Sequence, residues 1–221
     1  MHAVIIFDSQ IVNYPLFEEV VSEIQMALDA RGVETHVVNL NGQALDNHLD
    51  LLRDLKEEAG ILAFYGHGCL CGCSLMFKTE SVVGVIDMEV LSNKSVLYTI
   101  ACHAAKSLGR KFIEVYKDRG FFGYDDVFML GINDVKHRDF QVALLRSAQI
   151  GLHRMISENV SCQEAARSVR IGYRHLLHDV WRGKICNNIK IRRTLRPGYG
   201  FTIEWNLLHF KSHISKDLQI F

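Results

Sequence analysis

The sequence has few of the features that interrupt a folded chain or attach it to a membrane. It contains only two prolines among 221 residues, and no stretch is rich in Ser, Gly and Pro. Flexible linkers and disordered tails have such compositions, so we expect neither, and the length fits a single domain. The N-terminal apolar run at residues 3–7 is too short for a secretory signal or a membrane span. We therefore expect a soluble, cytoplasmic protein that does not bind membranes.

A net charge is also lacking, but the charges are unevenly distributed. Residues 1–100 contain 5 Lys and Arg against 14 Asp and Glu, whereas residues 101–221 contain 20 against 11. One interpretation is that the acidic and basic faces are solvated or attract each other across the fold. The other is a basic patch for nucleic acid or an acidic partner. Because aromatic residues do not alternate with the basic ones and no nucleic-acid motif is present, we favour the first and expect no direct binding to nucleic acid.

Short apolar segments alternate with amphipathic segments along the chain. Six apolar segments predict strands: 2–9, 34–40, 60–66, 95–102, 120–124 and 201–210. Helical periodicity predicts helices over 17–28 with Gly32 as the C-terminal stop, over 45–52 with an end near Gly60, and over 104–118, 138–157 and 162–181. The last of these opens with Ser161-x-x-Glu164, a capping box. The irregular segment 69–94 has room for a small β-hairpin. This alternation indicates an α/β fold whose central sheet is mostly parallel and covered by helices on both faces.

A histidine and a cysteine follow two of these predicted strands. His67 comes directly after the third strand and Cys102 ends the fourth. In parallel sheets ligands bind at the carboxyl ends of the strands, so the two side chains reach the same edge if the strands are neighbours. A cysteine nucleophile needs a thiolate, a base and donors for an oxyanion. The helix expected after Cys102 would favour the thiolate, and the N–H groups of Gly68 and Cys102 would form an oxyanion hole.

The same two residues also have a purely structural interpretation. A histidine after a strand is often structural, and a cysteine at the end of an apolar strand is often a small buried hydrophobe. Position alone does not decide between this interpretation and a catalytic dyad.

Motifs around both residues resemble those of a known family. The segments "FYGHG" (64–68) and "YTIACHAAKSLG" (98–109) resemble the His-Gly and Ala-Cys motifs of the caspase-like cysteine peptidases, the group of caspases, metacaspases, legumain, gingipains, separase and bacterial CHAT proteins. The segments 120–126 and 155–176 are similar to the strand and paired helices that follow in CHAT-type domains. The resemblance covers roughly residues 2–181, with 201–210 as the last strand. It implies one peptidase domain over 1–221, a three-layer α/β/α sandwich.

The resemblance also implies a mechanism and a biological setting. Cys102 would attack the scissile carbonyl, while His67 would protonate the leaving amine and later activate water. No cofactor is implied, and the substrate would be a protein or peptide. Bacterial relatives act in stress or antiviral defence, so an activating sensor, a gasdermin-like protein or a CRISPR-associated protein is an expected partner. His103 is interpreted as structural because its place beside the nucleophile points it elsewhere.

Three aspartates follow strand ends at the predicted edge, and they bear on specificity. Asp125 and Asp126 come after the fifth strand, and Asp8 ends the first. Separase-like and gingipain-like members select Arg or Lys with an acidic pocket residue, so the resemblance implies cleavage after a basic residue. The alternative is that these aspartates cap turns. The basic segment 184–200 is expected to be a surface connection, which an Arg- or Lys-specific enzyme would be able to cut itself.

Three further cysteines alternate directly after His67. In an extended chain Cys69, Cys71 and Cys73 would project to one side. Zinc sites usually use cysteines separated by two to four residues, so this spacing is poor for zinc even with Cys162 or Cys186 as an additional ligand. We therefore predict a loop at the rim of the active site and no metal. Redox regulation is the remaining interpretation, because these thiols would be able to trap Cys102 as a disulfide.

Two other functions compete with an endopeptidase. The first is a catalytically silent caspase-like module for binding or scaffolding, and the presence of both His67 and Cys102 argues against it. The second is a flavodoxin-like domain, which needs a phosphate-binding loop after the first strand. Residues 8–15 contain no glycine, which argues against that loop.

Overall fold

The computed structural model describes residues 1–8, 14–40, 59–77, 80–84, 91–115, 118–131, 137–185, 189–214 and 218–221. Its strands are β1 (His2–Phe7), β2 (Glu34–Asn39), β3 (Ala59–Tyr65), β4 (His67–Gly68), β5 (Ser74–Phe77), β6 (Glu80–Gly84), β7 (Leu91–Ile100), β8 (Arg119–Tyr124), β9 (Lys184–Ile185), β10 (Ile189–Lys190) and β11 (Phe210–Ile214). Its helices are α1 (Tyr14–Asp29), α2 (Leu108–Val115), α3 (Arg138–Glu158), α4 (Cys162–Trp181) and α5 (Arg196–His209), with a 3-10 turn at Arg193–Leu195.

Six of these strands form the central sheet, in the order β11-β8-β7-β3-β1-β2. In this sheet the pairs β2-β1, β1-β3, β3-β7 and β7-β8 are parallel, and β11 is antiparallel to β8. The α/β fold with a mostly parallel sheet is therefore confirmed. A separate three-stranded antiparallel sheet, β4-β5-β6, lies between β3 and β7 in the chain, and it confirms the hairpin expected within 69–94.

The inner strands β1 and β3 are buried on both faces, which explains why their sequences are almost entirely apolar. Alternate residues of β1 face opposite sides: Ala3, Ile5 and Phe7 belong to one core, whereas Val4 and Ile6 belong to the other. The first core includes buried residues of α1, α3, α4 and α5, and the second includes those of α2. Helices therefore cover the sheet on both sides.

Local signals at two helix ends agree with the structure. The side chain of Ser161 accepts a hydrogen bond from the Glu164 N–H, and the Glu164 carboxylate accepts one from the Ser161 N–H. This is the predicted capping box, and α4 starts directly after it. Gly32 follows α1 with a φ of 66°, a left-handed conformation that ends the helix.

The segment around Cys102 differs from the expectation. β7 ends at Ile100 and α2 begins only at Leu108, so consecutive turns occupy residues 102–107 instead of a helix from 104. His103 has a φ of 59°, which interrupts both strand and helix geometry. The Leu108 N–H donates to the Gly72 carbonyl, at 2.7 Å, so the helix starts where this outside acceptor is available.

The predicted strand at 201–210 is wrong. Residues up to His209 form α5, and the last strand is β11. Buried residues recur with helical spacing at Tyr199, Ile203 and Asn206, and Pro197 in the first turn favours a helix start. The segment 201–210 resembled a strand because it is short and mostly apolar. Over ten residues, the helical spacing of its buried side chains is difficult to distinguish from the continuous apolar pattern of a buried strand.

The basic segment 184–200, predicted to be a surface connection, contains secondary structure in its described residues: the β9–β10 pair, the 3-10 turn and the start of α5. The helix expected near Leu45 lies outside the described residues. None of the helices in the described ranges is both long and apolar enough to cross a membrane.

Candidate active site

The pairing of β3 with β7 places His67 and Cys102 at one edge of the sheet. Tyr65 lies opposite Ile100 in this parallel pair, and the Gly66 N–H donates to the Ile100 carbonyl at 3.2 Å. His67 and Cys102 each lie two residues beyond this matched pair. β3 and β7 are therefore neighbours, which is the condition that the sequence analysis set for His67 and Cys102 to lie at the same edge.

The backbone of Gly68 lies directly against that of Cys102. A Cβ at residue 68 would collide with the Cys102 carbonyl oxygen and would lie 3.0 Å from its carbonyl carbon. The sequence analysis assigned the Gly68 N–H to an oxyanion hole, and the structure shows that Gly68 also packs against the Cys102 segment. The two candidate motifs are therefore in contact, and only glycine fits at the contact.

His67 is exposed and is held by the small antiparallel sheet. It lies in β4 opposite Met76 of β5. An exposed imidazole at a sheet edge is accessible to a substrate, and the backbone pairing restricts where the ring can reach.

Cys102 is half-buried, and its environment disfavours the thiolate. Burial raises the pKa of the Cys102 thiol, and the nearby Asp126 carboxylate raises it further. Hydrogen bonds from the N–H groups of Phe128 and of Cys102 itself partly offset this rise in pKa. The expectation that a helix N-terminus activates Cys102 is wrong, because α2 begins six residues later. In addition, the Cys102 N–H, a predicted oxyanion donor, interacts with its own sulfur.

His103 anchors the turn that carries Cys102. The imidazole ring is buried, and its Nδ1 lies 3.7 Å from Asp126 Oδ1. The backbone N–H of His103 donates to the backbone carbonyl of Asp126 at 3.0 Å. These contacts support the structural interpretation of His103. They also bring the chain after β8 alongside Cys102.

Of the two aspartates after β8, Asp125 is paired with His209 and Lys211. Its Oδ1 lies 2.8 Å from His209 Nδ1 and its Oδ2 lies 3.3 Å from Lys211 Nζ, while its N–H donates to the His209 carbonyl. These contacts join the end of β8 to the junction of α5 and β11. Asp125 is therefore already engaged within the chain.

Asp126 and Asp8 have different environments. Asp126 Oδ1 accepts a hydrogen bond from the Val127 N–H at 2.7 Å, and its side chain is 35% exposed. This hydrogen bond lowers the Asp126 pKa, with smaller contributions from nearby cationic groups. Asp8 is only 3% exposed, its N–H donates to the Tyr65 carbonyl, and its side chain lies close to Gly66. Asp126 thus acts as a turn cap, as the alternative interpretation held, yet remains partly open to solvent.

The three alternating cysteines are brought together by a turn. Cys69 Sγ lies 2.7 Å from Cys71 Sγ and 3.4 Å from Cys73 Sγ, and Cys71 and Cys73 are joined as a disulfide. Burial opposes the Cys69 thiolate, but hydrogen bonds from Ser74, Cys73 and Gly72 outweigh it and lower the pKa of that thiol. The extended arrangement considered for this segment is wrong, because residues 70–73 turn back on themselves.

Of the two additional ligands that the sequence analysis considered, Cys162 does not join this group. It is buried in the core, with its thiol 3.9 Å from the Met155 sulfur, whereas Cys186 lies outside the described residues.

The sequence did not indicate Phe128, whose backbone N–H donates to the Cys102 sulfur. A backbone donor has no side-chain signature, so the sequence contains no signal for this contact.

No family model and no curated protein matches this chain.

Substituting Gly68 tests the contact between the two motifs. We expect Gly68→Ala to lower both thermal stability and the labelling rate of Cys102 by a peptide acyloxymethyl ketone, since the added Cβ displaces the Cys102 carbonyl. Gly198→Ala is the matched control, because a Cβ there has no neighbour within 4 Å. Labelling and melting temperatures equal to those of wild type in Gly68→Ala would contradict the described packing.

The raised pKa of Cys102 predicts a pH dependence. Alkylation by iodoacetamide requires the thiolate, so in the free protein its rate at Cys102 should rise with a midpoint above the ordinary thiol range. Asp126→Asn removes a charge that raises this pKa and should move the midpoint to lower pH, whereas Glu18→Gln on α1 should not. Peptide mass spectrometry assigns the alkylated residue. A midpoint below the ordinary range would contradict the environment described.

Proposed function

We propose that this chain is a cysteine endopeptidase in which His67 and Cys102 form the catalytic dyad. The observation that carries the proposal is the register of β3 and β7, which brings both residues to one sheet edge. The close packing of Gly68 on Cys102 supports it, because the two motifs form one continuous surface. The mostly parallel sheet with helices on both faces agrees with the caspase-like sandwich that the motifs imply.

The proposed reaction uses only groups at this edge. The Cys102 thiol transfers its proton to His67 as its sulfur attacks the substrate carbonyl carbon, which forms a tetrahedral oxyanion. The C–N bond then breaks, and His67 donates the proton to the leaving amine, so that a thioester remains on Cys102. His67 next takes a proton from water as the water oxygen attacks the thioester carbonyl carbon. The C–S bond then breaks, His67 returns the proton to the Cys102 sulfur, and the acid product leaves.

A protonated resting thiol fits this scheme. Because burial raises the Cys102 pKa, His67 has to act as a base in the first step instead of meeting a preformed thiolate. Proton transfer at the moment of attack keeps the unreacted thiol less prone to alkylation and oxidation, since those reactions need the thiolate. Gly68 supplies a backbone N–H at the same edge for the oxyanion.

The proposed specificity is for Arg or Lys before the scissile bond, with Asp126 as the principal recognition group. Asp126 is close enough to Cys102 to influence its pKa, and it is partly exposed. Asp125 is already paired with His209 and Lys211, and Asp8 is almost completely buried. A carboxylate beside the nucleophile favours a cationic substrate side chain and disfavours an acidic one.

The dyad is tested by two single substitutions with a matched control. Cys102→Ala and His67→Ala should each lower kcat/KM for peptide cleavage by about a thousandfold or more, because the members of a nucleophilic pair act as a unit. The exposed His153 of α3 serves as the histidine control, and His153→Ala should retain activity. Circular dichroism should show that each variant is folded. Wild-type activity in Cys102→Ala would refute the peptidase proposal.

Specificity is tested with a fluorogenic library that varies the residue before the cut. Asp126→Asn should lower kcat/KM on Arg substrates by about a hundredfold or more, because the Arg side chain of the substrate then lies in the pocket without a charged partner. The asparagine oxygen can still accept the Val127 N–H, so the turn cap is retained. Asp125→Asn should have a small effect on the preference. A preference for Asp or an apolar residue, or an Arg preference that survives Asp126→Asn, would contradict this assignment.

A further inference from the structure

Residues 69–73 form what we call the thiol loop, which gathers three sulfur atoms in one place. The sulfurs of Cys69, Cys71 and Cys73 all lie within 4.8 Å of one another. The loop is closed by the Gly72 N–H donating to the Cys69 carbonyl at 2.9 Å, and Gly72 has a φ of 70°. A left-handed glycine at this point reverses the chain, so residues that alternate in sequence converge in space.

This convergence removes the objection that the sequence spacing raised against a metal. The usual separation of two to four residues matters because it lets two thiolates reach one ion, and the turn at Gly72 achieves the same result for alternate residues. A zinc–sulfur distance of about 2.3 Å requires sulfurs about 3.8 Å apart in a tetrahedral site. The sulfurs of the thiol loop are closer than this, so side-chain rotations that separate them slightly open a position for an ion.

We propose that the reduced thiol loop binds one Zn²⁺ ion through Cys69, Cys71 and Cys73. Thiolate is a ligand that Zn²⁺ prefers, and a cation relieves the repulsion among three adjacent thiolates. Three protein ligands leave the fourth tetrahedral position to water or a small ligand. This inference is independent of peptidase activity, because it concerns binding by side chains outside the dyad.

Binding requires that the Cys71–Cys73 disulfide first be reduced. A thiol reductant supplies the two electrons: two small-molecule thiols are oxidised to one disulfide, and Cys71 and Cys73 each gain a proton. Coordination of Zn²⁺ then releases the thiol protons of the three ligands to solvent. Oxidation and metal binding therefore compete for the same sulfur atoms.

The thiol loop contacts the turn after Cys102, so an ion bound in the loop affects the candidate active site. A Cβ at Gly72 would meet the His103 carbonyl oxygen and would lie 2.6 Å from Lys106 Cβ, so the loop packs on the turn after Cys102. The Gly72 carbonyl also accepts the hydrogen bond that starts α2. An ion that cross-links the loop therefore makes this support for the nucleophile turn more rigid.

A second cluster of potential ligands allows a sharp control. This cluster consists of His2, Glu34 and His36, which lie together at the amino-terminal ends of the paired strands β1 and β2. Each histidine is 3.5 Å from a Glu34 oxygen. An ion bound there would have nitrogen and oxygen ligands but no sulfur. The two sites are therefore distinguishable by spectroscopy.

Cobalt is the probe, because Co²⁺ bound to thiolates has a sulfur-to-metal charge-transfer absorption in the near ultraviolet. Wild-type protein reduced with a phosphine under anaerobic conditions should bind one Co²⁺ with this absorption, and Zn²⁺ should displace it. Cys69→Ser, Cys71→Ser and Cys73→Ser should each weaken or abolish the band. Cys102→Ala and His36→Ala should retain it.

A measurement on the wild-type chain avoids any folding defect of the variants. Zn²⁺ should protect Cys69, Cys71 and Cys73 from iodoacetamide, as mapped by peptide mass spectrometry, and a chelator should remove the protection. The proposal is overturned if the reduced protein binds no Co²⁺ with thiolate absorption, if the band depends on Cys102, or if Zn²⁺ leaves the three thiols fully reactive.

Discussion

The parallel hydrogen bonding between β3 and β7 is the constraint on which the proposed active site depends. Gly66 donates to Ile100, and this bond aligns the chain so that His67 and Cys102 leave the sheet at matching positions. Parallel strands place their carboxyl ends at one edge, which is why two motifs far apart in sequence share a surface. A shift of register by one residue would turn the two side chains to opposite faces.

Close backbone packing then converts this shared edge into a defined site. Gly68 lies against Cys102, and Gly72 lies against the turn that carries His103. Cys102 is thus held by loops and turns and not by a helix start, and its thiol is half-buried with a raised pKa. In the proposed dyad this environment requires the imidazole to take the thiol proton, and the packing of Gly72 couples the geometry of the Cys102 turn to the thiol loop beside it.

The two aspartates that follow β8 at this edge are held in different ways. Asp125 joins β8 to the segment around His209 and Lys211, whereas Asp126 caps a turn and still faces solvent. Both carboxylates have basic neighbours, since His103 Nδ1 lies 3.7 Å from Asp126 Oδ1. The two aspartates differ because Asp125 makes close contacts to His209 and Lys211, which fix where the following residue lies.

Periodicity and apolar patterning by themselves determined the α/β class, the buried strands, α1, the capped start of α4 and the order of the two motifs, because these depend on local propensity and burial. Only the tertiary structure decided that β3 neighbours β7, since strand order depends on long-range packing. The start of α2 at Leu108 required an acceptor from Gly72, and α5 replaced the expected strand because its buried face packs against the core. The convergence of Cys69, Cys71 and Cys73 was likewise hidden from the sequence, because it depends on one left-handed glycine that reverses the chain.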